Sequence, residues 1–273
     1  MTNEVETLKK ENESLKKTIL DIENISKMLI KRDVDLRNAY NELKTLDKER
    51  SEFLSIAAHQ LRTPLTTVNF AVQLLSESIS SSLDKDQLHV LSNAKVGIKK
   101  MSELIEDLLT VDSLDYSNSE FTKDSVDIEA TIIETVESLN ALSDHQSVTI
   151  ETKFSTNPVL IQADARRVKD AIANVIHNAV KYTQSGGNIL ITTTYEDGFA
   201  SVTVSDTGIG VAIAEANKLF KKFSRCDSAK QLDANGSGLG LYIAKKIMEK
   251  HDGSITYAPR KPHGSSFILS FPL

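Results

Sequence analysis

A single cysteine, Cys226, stands in 273 residues, so neither an intrachain disulfide nor a thiolate metal cluster braces this fold. That fits a reducing compartment, and the cytoplasm is the default expectation. Long apolar runs are missing as well. A membrane-spanning helix needs about 20 mostly apolar residues in a row, and no stretch approaches that; the first residues, MTNEVETLKKENE, are charged where a signal peptide is apolar. Positive charge is in deficit: 32 Lys and Arg against 38 Asp and Glu leave a formal charge of −6, the wrong sign for a footprint on nucleic acid or anionic lipid. With 40% hydrophobic and 26% charged residues, the composition is globular, neither collagen-like nor that of a disordered tail. At about 100–200 residues per domain, the length suits two domains.

Neither Gly nor Pro occurs before Pro64, so nothing breaks a helix over that length. Within it an apolar series runs Val5, Leu8, Asn12, Leu15, Ile19, Ile22, Ile25, Leu29, Arg32, Leu36, Ala39, Leu43 and Leu46. Steps of three and four alternate, which is the seam of a coiled coil. Two steps of three between Ile19 and Ile25 form a stammer-like slip that overwinds a supercoil locally, a hinge in signalling. Asn12 in the seam favours a parallel dimer, because facing amides hydrogen-bond only in register. Arg32 interrupts the seam and keeps a solitary charged helix as the alternative.

The helix is expected to continue past residue 51, with Leu54, Ala58, Leu61, Leu65, Val68, Val72 and Leu75 in step. The polar link SSSLDKD ends it, and a second helix follows with Leu88, Leu91, Ala94, Ile98, Met101, Ile105 and Leu108 on one face. Two such helices per chain, doubled in a dimer, bury both stripes in a four-helix bundle.

His59 follows core position Ala58, about 100° round the helix, so its imidazole points to the rim and is accessible. Thr63 lies one turn on along the same face. Pro64 lacks the N–H that reaches the Gln60 carbonyl, which kinks or loosens the turn carrying His59 at a cost of about 3 kcal/mol or more. The segment HQLRTPLT at 59–66 resembles the phosphoacceptor box of sensor histidine kinases. Gln60 departs from that family's pattern, where an acidic residue usually follows the histidine.

From about residue 121 the pattern becomes mixed α/β. Helices are expected over 127–144, within 163–183 and from 239 to Gly253; strands over 147–154, 158–164, 187–196, 199–206, 254–259 and 265–273. The Asp197-Gly198 pair between two of these strands is a hairpin signal. Helices beside a mostly antiparallel sheet make an α/β sandwich.

Four segments of this half carry chemistry, and together they resemble the ATP-binding fold shared by histidine kinases, gyrase-type ATPases and heat-shock chaperones. In NVIHNAVKYT, Asn174 and Asn178 share one helical face; the resemblance implies that Asn178 holds Mg²⁺ against the triphosphate, that Lys181 touches phosphate and that Tyr182 lines the adenine pocket. Alone, this is also a helix with polar exposed residues. In DTGIG, the resemblance makes Asp206 the acceptor for the adenine amino group, while Gly208 and Gly210 let backbone approach the ligand. In LFKKF, Phe220 and Phe223 resemble an aromatic pair below a lid, and read equally as core phenylalanines. In NGSGLGL, residues 235–241, Gly236, Gly238, Leu239 and Gly240 open a helix whose unpaired amides favour phosphates. A dinucleotide site is the other reading of such a run, but no βαβ unit surrounds it. GSSF at 264–267 completes the family order.

The resemblance therefore implies residues 1–50 as a coiled-coil signalling helix, 51–115 as a dimerisation and phosphotransfer hairpin, and 121–273 as the ATP-binding domain. It implies a homodimeric, Mg²⁺- and ATP-dependent kinase that phosphorylates Nε2 of His59 and passes phosphate to an aspartate of a response-regulator receiver domain. Imidazole is largely unprotonated near neutral pH, so no strong base is needed to make it nucleophilic. Gln60 cannot take the proton on the other ring nitrogen but can hold the tautomer, so reduced rather than absent autophosphorylation is expected. Thr63 positions water against the regulator's aspartyl-phosphate by resemblance, or simply bonds the carbonyl one turn back. An upstream sensor domain or separate partner drives the chain, with no direct membrane segment. A gyrase-type hydrolase carries Glu at the place of Asn174, and a serine kinase of this fold lacks the His59 helix. A nucleotide-binding dimeric scaffold is the remaining class, kept open by Gln60. Cys226 lacks a resolving thiol for a redox role.

Overall fold

The computed structural model describes residues 2–79, 83–116, 121–155, 160–232 and 236–273. Part of the helical link (80–82), two residues of one expected strand (158 and 159) and Asn235 of the glycine run lie outside the described residues, as do the side chains of Val5 and Leu8. Contacts divide the chain into two units, 1–53 and 54–273.

Helix α1 spans Thr2–Ile79. In the first unit the helix carries local interactions only: Arg37 pairs with Asp33 one turn back at 3.0 Å, and the Thr45 hydroxyl donates to the Asn41 carbonyl at 2.9 Å. The seam residues Leu15, Ile19, Ile22, Ile25, Leu29, Leu36, Leu43 and Leu46 are exposed in the single chain.

In the second unit, α1 pairs with α2, which spans Lys85–Tyr116. Asp84 and Gln87 form a reciprocal cap at its start, the Gln87 amide donating to Asp84 at 2.8 Å and the Asp84 amide to Gln87 at 3.1 Å. Lys85 and Asp86, expected in the polar link, thus belong to the helix. The two apolar stripes are only half used within one chain. Ala58, Leu65 and Ile98 are buried, and Leu54, Val72, Leu91 and Ile105 are half-buried, whereas Leu61, Val68, Leu75 and Met101 remain exposed. Pairing two helices covers only the near side of each stripe. The α-helix runs unbroken through Pro64.

Strand β1 (Asp124–Asp127) was not expected; it pairs antiparallel with β3 (Leu160–Ala163), setting Val126 opposite Ile161. Between them lie α3 (Ile128–Gln146), capped by Asp127 through the amides of Glu129 and Ala130, and β2 (Thr149–Lys153). Then come α4 (Ala165–Tyr182), β4 (Asn188–Glu196) and β5 (Phe199–Asp206). A short 3₁₀ helix at Ile213–Lys218 and α5 (Asp227–Leu232) precede α6 (Gly240–Lys250), β6 (Ser254–Pro259) and β7 (Ser265–Pro272). The main sheet has the order β2-β4-β5-β7-β6, with only the β2–β4 pair parallel. Asp197 and Gly198 close the β4–β5 hairpin with φ of 53° and 80°, the positive pair that matches the right-handed twist of the strands.

Burial follows the sequence periods. On α4, Val168, Ala171, Ile172, Val175, Ile176, Ala179 and Val180 form one buried stripe, and β7 alternates buried and half-buried along its length. The core joins these to Ile189, Ile191, Val202, Val204, Leu269 and the inner face of α6. Val111 and Leu114 of α2 enter the same core, so the hairpin and the sandwich share buried surface. At the end of α6 the left-handed residue is Asp252, with φ of 56°. Gly253, where the helix was expected to close, sends its amide to the Met248 carbonyl at 2.9 Å, and a side chain there would meet the Ser270 carbonyl oxygen at 2.5 Å.

His251 ties this corner to the cap of α4. It is 5% exposed, its Nδ1 lies 2.8 Å from the Ile247 carbonyl, and its Nε2 accepts from the Asp164 amide at 3.0 Å. Only the neutral ring with its proton on Nδ1 satisfies both bonds. Burial pushes the His251 pKa below the usual imidazole value, against partial opposition from the Ile247 carbonyl and Asp164. The unfolded chain therefore takes up a proton first, and stability falls as pH drops below about 6.5. Chemical unfolding at pH 5.5 and 7.5 should show this loss; His251→Leu should flatten it while costing about 1–3 kcal/mol at pH 7.5 through the orphaned Asp164 amide.

Candidate functional site

Because the buried stripe of α4 faces the sheet, its opposite stripe is polar and free to line a cavity. Asp170, Asn174, His177, Asn178 and Lys181 recur at helical spacing along it, and all five line one cavity of about 590 Å³. Tyr182, Asp206, Gly210, Gly236, Gly238 and Gly240 line the same cavity. The structure thus gathers segments separated by up to about 70 residues in sequence into one place.

Asp206 ends β5 and is 3% exposed. Its Oδ1 accepts the amides of Gly208 at 2.8 Å and Ser265 at 3.1 Å. Burial pushes its pKa up, while these two donors pull it down. The neighbouring glycines are required by close approach. A Cβ on Gly208 would strike the Tyr182 carbonyl, and one on Gly264, whose φ is +114°, would strike the Asp206 carbonyl. Gly208 therefore shapes the cavity from outside its lining, packing the DTGIG loop against the end of α4; the Ile209 amide bonds the Tyr182 carbonyl at 3.1 Å.

The glycine run meets α4 through Asn174. That side chain donates to the Asp170 carbonyl at 3.0 Å, and its Oδ1 lies 2.8 Å from where a Gly240 Cβ would stand. Gly238 takes φ of +68° beside the Phe223 and Ser224 backbone. Leu239 is not part of the lining; it is 1% exposed and anchors the run in the core. It is also the N-cap of α6, without a side-chain capping bond, so the first turn of α6 relies on other partners for its amides. Lys181 Nζ stands 5.5 Å from the centre of the Tyr182 ring.

His59, Gln60 and Thr63 are exposed on α1 and do not line the cavity. The Thr63 hydroxyl lies 3.4 Å from the His59 carbonyl, a long bond of the local kind expected. Arg62 reaches across to Glu106 of α2, and Glu106 does line the cavity.

The α2 wall is what sequence reasoning missed. Lys100, Glu103, Leu104, Glu106, Asp107 and Thr110 all line the cavity. The Ser237 hydroxyl donates to Asp107 Oδ2 at 2.9 Å. Burial pushes the Asp107 pKa up, Ser237 lowers it and Glu103 raises it again. Further along, Tyr242 donates to Asp115 at 2.7 Å and Lys222 pairs with the same carboxylate. Nothing in the α2 periodicity names these partners.

The aromatic expectation is corrected in one half. Phe220 meets Phe267 edge-on at 6.5 Å, but Phe223 is 64% exposed with φ of 57°, so it is no core residue. Cys226 lines the cavity and is buried; burial and the nearby Glu215 and Asp227 push its thiol pKa up, the reverse of an activated thiol. Among the described residues no cluster of three or more His, Cys, Asp or Glu could hold a metal ion, and no helix is long and apolar enough to cross a membrane.

Comparison with known proteins finds two family matches along the chain. Residues 49–117 match the His Kinase A (phospho-acceptor) domain, and residues 163–273 match the Histidine kinase-, DNA gyrase B-, and HSP90-like ATPase family. The chain is 26% identical over 248 residues to the cell-division control histidine kinase PdhS of Brucella anthropi, covering 87% of this chain and 24% of that protein. It is 29% identical over 238 residues to the sensor histidine kinase WalK of Bacillus subtilis, covering 85% and 38% respectively. It thus spans about a quarter to two fifths of the length of these curated relatives. The crystal structure of full-length ShkA in complex with AMPPNP superposes with a TM-score of 0.67 at 26% identity, covering 81% of this chain and 45% of that one.

The close approach at Gly208 is testable without any ligand. Gly208→Ala should destabilise the protein by about 1–3 kcal/mol in thermal unfolding. Gly97→Ala, in α2 with nothing within 4 Å of the added carbon, should instead gain about 0.5–1 kcal/mol from helix propensity.

Proposed function

We propose that this chain, which belongs to the histidine kinase family through both of its domains, uses ATP to phosphorylate its own His59. The phosphate then passes to an aspartate of a response-regulator receiver domain, which the chain also dephosphorylates. One observation carries the ATP half of this reading: Asn178, Lys181, Asp206 and the glycine run converge on a single cavity of about 590 Å³, a size suited to a nucleotide.

In this reading Asp206 accepts a hydrogen bond from the adenine amino group, the one direction in which a carboxylate held by two backbone amides can read a base. Tyr182 lines the adenine pocket, and Gly208 and Gly210 let the backbone come close. Lys181 and the amides at Gly236, Gly238 and Gly240, leading into α6, receive the phosphates, while Leu239, whose amide is taken by Ser237, only anchors the run. The donor set suits Mg²⁺, which is commonly bound by few protein oxygens together with substrate phosphates; the Asn178 amide oxygen would hold it, and Asn174 positions the start of α6. When bound, the ion supplies charge neutralisation to the triphosphate.

His59 attacks through the Nε2 lone pair. The bond from Nε2 to the γ-phosphorus forms as the bond from phosphorus to the bridging oxygen breaks, and ADP leaves. The imidazole then sheds its Nδ1 proton to solvent. Gln60 holds that N–H through its amide oxygen without accepting the proton, so the step is slow compared with an acidic neighbour. Since His59 stands outside the cavity lining, transfer follows a rearrangement that brings the imidazole of this chain or its mate to the γ-phosphate.

Residues 1–50 serve as the signalling coil, 51–115 as the dimerisation and phosphotransfer hairpin, and 121–273 as the ATP-binding domain. The exposed half-stripes of Leu61, Val68, Leu75 and Met101 support a four-helix bundle between two hairpins, and the exposed α1 seam supports a parallel coiled coil beyond it. An upstream sensor domain or partner acts through that coil.

Incubation with γ-labelled ATP and Mg²⁺ tests the kinase directly. The wild-type chain should take up alkali-stable, acid-labile label, and His59→Ala and Asn178→Ala should take up none. Label surviving in either variant removes that residue from its role; ATP binding without label leaves a nucleotide-gated dimeric scaffold or a regulator phosphatase. In the same assay Gln60→Glu should label faster, by up to about 10²-fold, and an unchanged rate would falsify the role of Gln60. Thr63→Ala should slow dephosphorylation of the regulator by about tenfold or more, measured from phosphorylated receiver domain; a wild-type rate assigns Thr63 only its helical bond.

A further inference from the structure

Asp107 belongs to no stripe that the hairpin needs, yet it is bound. Its Oδ2 accepts the Ser237 hydroxyl at 2.9 Å, and that hydroxyl in turn accepts the Leu239 amide at 3.2 Å. Ser237 stands between Gly236 and Gly238 at the entry to α6. A carboxylate from α2 thus reaches the place where unpaired amides and the positive end of a helix favour an anion. Two more carboxylates of α2, Glu103 and Glu106, line the same cavity; Glu106 pairs with Arg62 and Glu103 with Lys99 at 3.9 Å.

We infer that Asp107 is a built-in anion holding the phosphate end of the cavity, so that docking of α2 onto the glycine run and binding of a triphosphate compete. The inference rests on the ATP reading of the cavity. Two like charges cannot share a poorly solvated site without a penalty, and the burial and the Glu103 charge that already raise the Asp107 pKa mark that penalty in the docked state. Val111 and Leu114 are buried in the sandwich core, and Asp115 is held by Tyr242 and Lys222. These attachments lie one to two turns beyond Asp107 and involve no group of the cavity's phosphate end. The contact that nucleotide displaces is therefore separate from the contacts that keep α2 attached. Adenine recognition at Asp206 takes no part in this competition, so a ligand without phosphates does not feel it.

Calorimetry on the full chain distinguishes the possibilities, using Mg²⁺ with AMPPNP, Mg²⁺ with ADP and, separately, adenosine. Asp107→Asn keeps size and a hydrogen-bond acceptor but removes the charge; Asp107→Ala removes both, and thermal unfolding checks that each variant folds. Both variants should bind AMPPNP about three- to tenfold more tightly than wild type, with adenosine affinity unchanged and ADP gaining less than AMPPNP. Unchanged or weaker AMPPNP binding in Asp107→Asn overturns the inference while leaving the ATP site intact. Equal tightening for adenosine overturns it too, since the carboxylate then blocks the pocket as a whole. A wild-type chain that binds none of these ligands overturns the ATP reading itself, and the inference with it.

Discussion

Everything in the second unit depends on one amphipathic helix lying on one sheet. The buried stripe of α4, from Val168 to Val180, packs into a core shared with β4, β5, β7 and α6. At roughly 25 cal/mol per Å² of apolar surface, that burial is what holds the helix in a single rotation about its axis. Once the rotation is set, the polar stripe has no freedom. Asn174, Asn178 and Lys181 must face the cavity, because a turn of 100° in either direction would bury an amide or an ammonium without a partner.

The ends of that helix are fastened as carefully as its middle. Asp164 caps its first turn through the Arg167 amide, and its own amide is taken by His251 from the far corner of α6. At the other end Gly208 and Ile209 close on the Tyr182 carbonyl. The loop that carries Asp206 and the helix that carries Lys181 are therefore one mechanical piece. Gly264 adds the third side, since only a residue without Cβ fits against the Asp206 carbonyl.

Helix α2 has two loyalties. Its first half is tied to α1 by the Lys95–Ser76 bond, while its last turns enter the sandwich core through Val111 and Leu114. The phosphoacceptor segment and the cavity are thereby joined by a rigid element without being brought together, and the Arg62–Glu106 pair spans the remaining gap. As an exposed ion pair it contributes little stability.

Local periodicity determined most of this protein. The α1 helix, the α4 stripe, the Asp197-Gly198 turn and the strand alternation were all legible because each rests on residues within a few positions of one another. So were the cavity residues Asn178, Lys181, Asp206 and the glycines, because their spacing matches a known family order. Strand β1 was missed because four residues carry too little pattern, and Phe223 was misplaced because its left-handed backbone turns it outward. Only the tertiary structure decided that Gly253 serves close packing against Ser270. It alone also set Asp107 on Ser237 and Asp115 on Tyr242 and Lys222. Those pairings join residues more than 100 positions apart, and no local pattern in a chain records which distant surface will be folded against it.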